Sequence, residues 1–285
     1  MNIRELVAAM AMAILLALAF LPACTPLERY RETQRKAGCQ NNLRRIAQAL
    51  QMYTAEYNGS YPPLQRRTGP ECGHSNRGVL MLDGPSLFPA YIEDYRVLLC
   101  PGDPKAAEVK RKHAWQVGAV AEPCLFDDTS YVYLGWAVKP RGSQEDVEDY
   151  LSRLYAEGMR HLFGAGAAPS VEEDFAFLGP GGRRHRMFRL HTGIPKQFGI
   201  TRENGLPLTP AERIPVLFDR FETFAGVAYF NHMPGGSNVL FLDGHVQFVK
   251  YKAMYPCTHN MGVYLAEGPP PPKPLDPEPP HAMNR

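Results

Sequence analysis

The chain carries no charged residue from Leu6 to Leu27, and the core of that run reads LVAAMAMAILLALAFLPA. Its length sits at the lower edge of what spans a bilayer as a helix, and its place at the N-terminus is where anchors and export signals lie. After Pro26 the pattern turns amphipathic. Leu43, Ile46, Ala47, Leu50, Tyr53 and Tyr57 recur at helical spacing on one face, with Arg44, Arg45, Gln48, Gln51 and Glu56 elsewhere, as in a helix laid on an apolar surface. Asn58-Gly59 supplies a left-handed stop, and Tyr61-Pro62-Pro63 prevents continuation. The pattern predicts one long helix up to this point, apolar then amphipathic, kinked at Pro22 and Pro26.

Further along, Arg96-Val97-Leu98-Leu99 predicts a short strand running into the turn Cys100-Pro101-Gly102-Asp103-Pro104. Tyr131-Val132-Tyr133-Leu134-Gly135-Trp136 is aromatic and β-branched, a strand by propensity. Ser143 with Asp146 opens a second helix, where Val147, Leu151, Leu154 and Leu162 form an apolar stripe ending at Gly164. Arg183, Arg184, His185, Arg186 and Arg189 interleave with Met187, Phe188 and Leu190, a solvated strand rather than an anion site. Strand-like runs follow at Ile214–Asp219, Ala228–His232, Asn238–Leu242 and His245–Val249. Asp243-Gly244 between the last two predicts a hairpin with both turn residues at positive φ. The region therefore reads as a β-meander.

These elements predict an α+β fold in which a long N-terminal, membrane-anchoring α-helix packs on a C-terminal antiparallel β-sheet, with an inserted helical and irregular middle. The expected divisions are 1–26, a hydrophobic anchor or signal segment, 27–59, the amphipathic continuation of the helix, and 60–140, an irregular and β region. After these come 141–170, a helical insertion, 171–266, the C-terminal β domain, and 267–285, a disordered proline-rich tail.

Composition narrows the function classes. At 285 residues the chain can bury a good core, and its formal charge of +2 offers no global field to select nucleic acid. The six cysteines include no CxxC pair, which argues against a zinc ribbon or a thioredoxin-like site. No GxSxG, HExxH, Walker or dinucleotide fingerprint is present, so no enzyme is predicted.

The N-terminal run has three versions: a pilin-like helix that stays attached, a plain uncleaved anchor, or a signal peptide ending in Leu21-Pro22-Ala23-Cys24 with Cys24 acylated. Arg29, Arg31, Arg35 and Lys36 follow the run and Arg4 alone precedes it, so flanking charge does not orient it outward.

Three stretches carry a family resemblance: Cys39-Gln40-Asn41-Asn42-Leu43-Arg44-Arg45-Ile46 through Tyr57-Asn58-Gly59-Ser60-Tyr61-Pro62-Pro63, the Cys100-Pro101-Gly102-Asp103 turn, and the segment from His232 to Asp243-Gly244. Together they resemble prepilin-type proteins related to the type II secretion pseudopilins, including the prepilin-associated C-terminal domain defined by a histidine, nine residues and Asp-Gly. Ten residues separate His232 from Asp243 here, and the Gly-Phe-Thr-Leu-Ile-Glu processing string is absent. The resemblance implies a non-catalytic, membrane-anchored structural or interaction protein of the bacterial cell envelope. It implies a single pass through the inner membrane, the C-terminal domain in the periplasm or at the cell surface, and other pseudopilin subunits or secretion components as partners. Major pseudopilins carry a calcium site in their C-terminal β region, which makes calcium or another divalent metal the candidate cofactor. Asp219, His232, Asp243 and His245 are the candidate ligands, although a strand between His232 and Asp243 would hold those two apart. Two rival functions are a lipoprotein acylated at Cys24 that binds an envelope ligand, and a metal-dependent hydrolase using Asp219, His232 and His245.

Overall fold

The computed structural model describes residues 26–65, 79–139, 147–164, 173–179, 182–198 and 210–267. The apolar run as far as Thr25, with Cys24, lies outside them, as do Ser143, Asp146 and the proline-rich tail. Helix α1 spans Pro26–Glu56. It stops where Asn58 and Gly59 turn to φ 52° and 82°, three residues before the predicted boundary. Cys39, Leu43, Ile46, Leu50 and Tyr53 are buried along one face, each large apolar side chain contributing roughly 1.5–3 kcal/mol. Tyr57, expected on that face, lies past the helix end and is exposed, stacked on Tyr53 at 4.1 Å between ring centroids.

Short helix α2, Gly84–Leu87, is capped by Asp83. The predicted strand at Arg96–Leu99 is instead a 3-10 turn, Tyr95–Leu98, started by Asp94, whose side chain accepts from the Arg96 N–H. A local carboxylate cap there outcompetes β-propensity. Helix α3, Pro104–Lys112, follows. Its N-cap Asp103 accepts from the Lys105 N–H at 2.8 Å and from the Ser130 hydroxyl at 2.7 Å. The strands β1 (Gln116–Val117) and β2 (Val120–Ala121) form a small hairpin.

The predicted strand Tyr131–Trp136 divides into β3, Tyr131–Tyr133, and β4, Trp136–Val138, which belong to different sheets. Gly135 at φ 68° makes the break. Helix α4, Val147–Gly164, buries Leu151, Leu154 and Leu162 as its stripe predicts. It packs against a three-stranded antiparallel sheet of β4 with β5 (Phe175–Leu178) and β6 (Arg184–Arg189), in the order β4-β6-β5. The basic cluster is thus a strand, and one of its members is structural. Arg189 is buried, donates to the carbonyls of Tyr61, Pro62 and Gly135, and lies over the Trp136 ring. It ties the exit from α1 to the second sheet. Helix α5, Ile194–Phe198, follows.

The remaining strands are β7 (Pro215–Asp219), β8 (Phe221–Phe224), β9 (Val227–Phe230), β10 (Gly236–Phe241) and β11 (Val246–Lys250). Helix α6, His259–Glu267, completes the described chain. A four-stranded antiparallel sheet has the order β11-β10-β7-β3. The C-terminal region is not a simple meander: β8 and β9 leave the sheet as their own hairpin, and the chain returns to set β10 beside β7. The Asp243-Gly244 hairpin forms, but only Gly244 has positive φ, at 90°. The Gly244 N–H bonds to the Phe241 carbonyl, and the Phe241 N–H to that of His245. That is a three-residue loop with glycine at the left-handed position, where a two-residue turn was expected. Every residue of β7 and β10 is buried, and α1 contacts β10 and β11.

Candidate functional site

Four side chains from distant parts of the sequence meet where α1 crosses the sheet. Cys39 comes from the buried face of α1, four residues before Leu43 on the same stripe. Cys100 follows the 3-10 turn, held where Pro101 and Gly102 turn the chain back. Asp219 ends β7, and His232 sits between β9 and β10 in an isolated bridge with Gly236. One ligand-capable atom from each lies within 4.8 Å of all the others, and all four residues are buried.

The contacts are specific. The Cys39 thiol donates to Asp219 Oδ1 at 2.7 Å and stands 3.1 Å from the Tyr131 hydroxyl. Cys100 Sγ is 3.2 Å from His232 Nε2 and accepts from the Gly102 N–H at 3.3 Å. His232 Nε2 is 3.5 Å from Asp219 Oδ2. On the other side of the ring, His232 Nδ1 is 3.1 Å from Glu32 Oε1, which also accepts from the Met233 N–H. A carboxylate can only accept, so this pairing puts a proton on Nδ1 and aims Nε2 at Cys100 and Asp219. Asn238 donates both its backbone N–H and its side-chain amide to Asp219 Oδ2, at 2.8 and 2.7 Å, and Gln40 holds the Asn238 carbonyl at 3.0 Å.

The electrostatics follow from burial. Burial pushes the Asp219 carboxyl up against the downward pull of His232, Cys39 and Asn238. It likewise pushes the Cys39 thiol well up, reinforced by Cys100 and Asp219. Cys100 moves the other way, held down chiefly by its hydrogen bond with Cys39 and then by His232, which outweigh its burial. Burial opposes the His232 imidazolium, but Cys100, Asp219 and Glu32 around the ring more than offset it and raise the group to about 9.

Of the residues singled out from sequence, the structure brings Asp219 and His232 together. It places Asp243 and His245 elsewhere, hydrogen-bonded to each other at 2.6 Å in the β10–β11 loop, with His245 stacked on Phe241. Six-residue β10 separates that loop from His232, roughly 17 Å at ~3.3 Å per step. Cys24 lies outside the described residues. Cys39, Cys100 and Glu32 were not among the predicted ligands. The available signals were a cysteine on the buried stripe of an amphipathic helix and a second one opening a Pro-Gly turn, with 60 residues between them.

Two chemistries suit the arrangement. Cys100, His232 and Glu32 align as nucleophile, base and orienting carboxylate, but Cys100 and His232 are 0 % exposed, so in this conformation no substrate reaches the sulfur. A metal needs no such access once bound. Among the described residues Cys39, Cys100 and Cys257 are free thiols, whereas Cys124 is disulfide-bonded.

Residues 28–117 match the model of a family described as a protein of unknown function (DUF1559), SBP_bac_10, which is associated with prepilin-type proteins in bacteria. The matched stretch carries Glu32, Cys39 and Cys100, while Asp219, His232 and the Asp-Gly hairpin lie beyond it. No curated protein and no solved structure matches the chain.

Proposed function

We propose that the chain is a membrane-held, pseudopilin-like structural or interaction subunit of the bacterial cell envelope, related to type II secretion and type IV pilus proteins and without chemistry of its own. The observation that carries this reading is the division of α1. From Cys39 onward one face is built into the core, whereas Glu28–Arg31 and Thr33–Arg35 are exposed, so the helix runs out of the domain toward the apolar segment that precedes it. A globular enzyme gains nothing from a helix that leaves its own core, but an anchored subunit uses that stem to stand off the membrane and to meet neighbouring helices. The disulfide at Cys124 fits a domain exposed to an oxidising compartment, which favours an inner-membrane protein with its C-terminal domain outside the cytoplasm. Among the described residues no helix is long and apolar enough to cross a membrane; the proposal takes the uncharged Leu6–Leu27 run as the span.

The test is extraction of the full chain from cell membranes. The protein stays in the pellet through high-salt and alkaline carbonate washes, and Leu15→Arg with Leu18→Arg releases it. A wild-type chain that washes off would contradict the anchor. Release by Cys24→Ser alone would replace it with a lipid anchor.

A further inference from the structure

We propose that Cys39, Cys100, Asp219 and His232 hold one thiophilic divalent cation of the zinc class, which clamps the N-terminal helix to the C-terminal sheet.

The geometry is close to what such an ion requires. Ligand atoms ~2.0–2.3 Å from a tetrahedral zinc stand roughly 3.3–3.8 Å from one another. Here Cys100 Sγ to His232 Nε2 is 3.2 Å and His232 Nε2 to Asp219 Oδ2 is 3.5 Å, with all four ligand atoms inside 4.8 Å. The Cys39 Sγ contact with Asp219 Oδ1, at 2.7 Å, is tighter than a shared tetrahedron and has to open by roughly 1 Å as the ion enters. Two sulfurs, an imidazole nitrogen and a carboxylate oxygen are the donor set of zinc rather than of calcium or magnesium, which take oxygen. Four protein ligands with no open position make a structural site.

The surroundings are those of a metal centre rather than of a plain polar core. Glu32 accepts from His232 Nδ1 and orients the ring so that Nε2 faces the cluster, as a carboxylate does behind a metal-bound histidine. Asn238 pins the Asp219 carboxylate with two donors, and the Tyr131 hydroxyl and Gly102 N–H stand against the two sulfurs. Gly102 is packed so closely that a Cβ there would meet His232 Cε1 at 2.5 Å, so the Cys100 turn is fitted to the ring. On binding, each thiol and the Nε2–H of a protonated His232 give up a proton to solvent and become ligands; no electron is transferred.

Redox state gives a separate reason. Cys124 is disulfide-bonded while Cys39 and Cys100 are free, although their sulfurs lie within 4.8 Å of each other. Both sulfurs are thus open to a single cation, whereas that of Cys124 is already committed.

The clamp joins segments far apart in sequence, so it acts most on the long-range attachment of α1. It is independent of how the N-terminus is anchored.

The experiment uses the full chain purified in non-chelating buffer without added metal, with elemental analysis by mass spectrometry. About one equivalent of zinc per chain is expected. Cys39→Ser and Cys100→Ser each lower it at least ~10-fold, whereas Asp243→Asn and His245→Ala leave it unchanged. To separate loss of a ligand from misfolding of a serine variant, wild-type protein is also stripped with a chelator and titrated with cobalt(II). Saturation near one equivalent, with thiolate-to-cobalt charge transfer and the intense visible bands of tetrahedral cobalt, supports the site. Cobalt spectra without a thiolate band overturn it, and so does a non-reducing peptide map that links Cys39 to Cys100.

Discussion

Gly102 shows how closely the cluster is fitted. A methyl group there would meet both His232 Cε1 and, at 2.7 Å, the Asn231 carbonyl, and neither is the free end of a flexible side chain. Gly102→Ala is therefore expected to lower stability by about 1–3 kcal/mol, as overpacking does. Thermal and urea unfolding check it, and an unchanged midpoint would mean the Cys100 turn is not held against the ring. At the same scale the limits of the sequence are plain. Asp219 and His232 were candidate ligands by residue type, but Asp243 and His245 carried the same types, and only register separates the pairs. Cys39 and Cys100 were visible as motif residues, yet nothing local says that their sulfurs meet, because the contact is made by helix docking and not by spacing. Arg189 was equally hidden: its neighbours make it one of a run of basic residues, and only the chain after α1 and the break at Gly135 together deliver the carbonyls it bonds.

Among the elements, those with strong local signals were legible. The stripe of α1, its Asn58-Gly59 stop, the stripe of α4 and the Asp-Gly hairpin all formed where hydrophobic period and turn chemistry placed them. The misses share a cause, a short-range competitor to propensity. Asp94 caps a 3-10 turn out of a β-prone segment, and Gly135 breaks one aromatic run into strands of two sheets. Some links between elements are electrostatic. Arg220, at the β7–β8 junction, pairs with Asp128 at 2.7 Å and Glu222 at 2.9 Å and donates to the Leu265 carbonyl near the end of α6, while Lys105 on α3 reaches Glu222 at 3.3 Å. Partial burial alone would raise the Glu222 carboxyl, but Arg220 and then Lys105 hold it below its ordinary 4.5. A depressed folded-state value means the unfolded chain binds the proton more tightly, so this contribution is present above pH 4.5 and is lost as pH falls through the lowered value. Urea unfolding across that window is expected to show a shallower acid loss for Glu222→Gln than for wild type. Parallel curves would show that the pairing adds nothing measurable, as exposed pairs often do not.

For the whole molecule, the account is of a helix whose buried face, from Cys39 to Tyr53, lies against the β domain. α1 enters the core at Cys39, beside the four-residue cluster, and leaves it at Tyr57, where Arg189 holds the following Tyr61-Pro62 carbonyls. On the proposed reading, the exposed residues Glu28–Arg31 and Thr33–Arg35 meet other helices or stand above a membrane, and the state of the N-terminus carries the account. The most direct measurement is the intact mass and N-terminal peptide of the protein extracted from native membranes. A chain that retains the apolar run ahead of α1 is the predicted result. A chain that begins at a diacylated Cys24 would contradict the pseudopilin-like anchor.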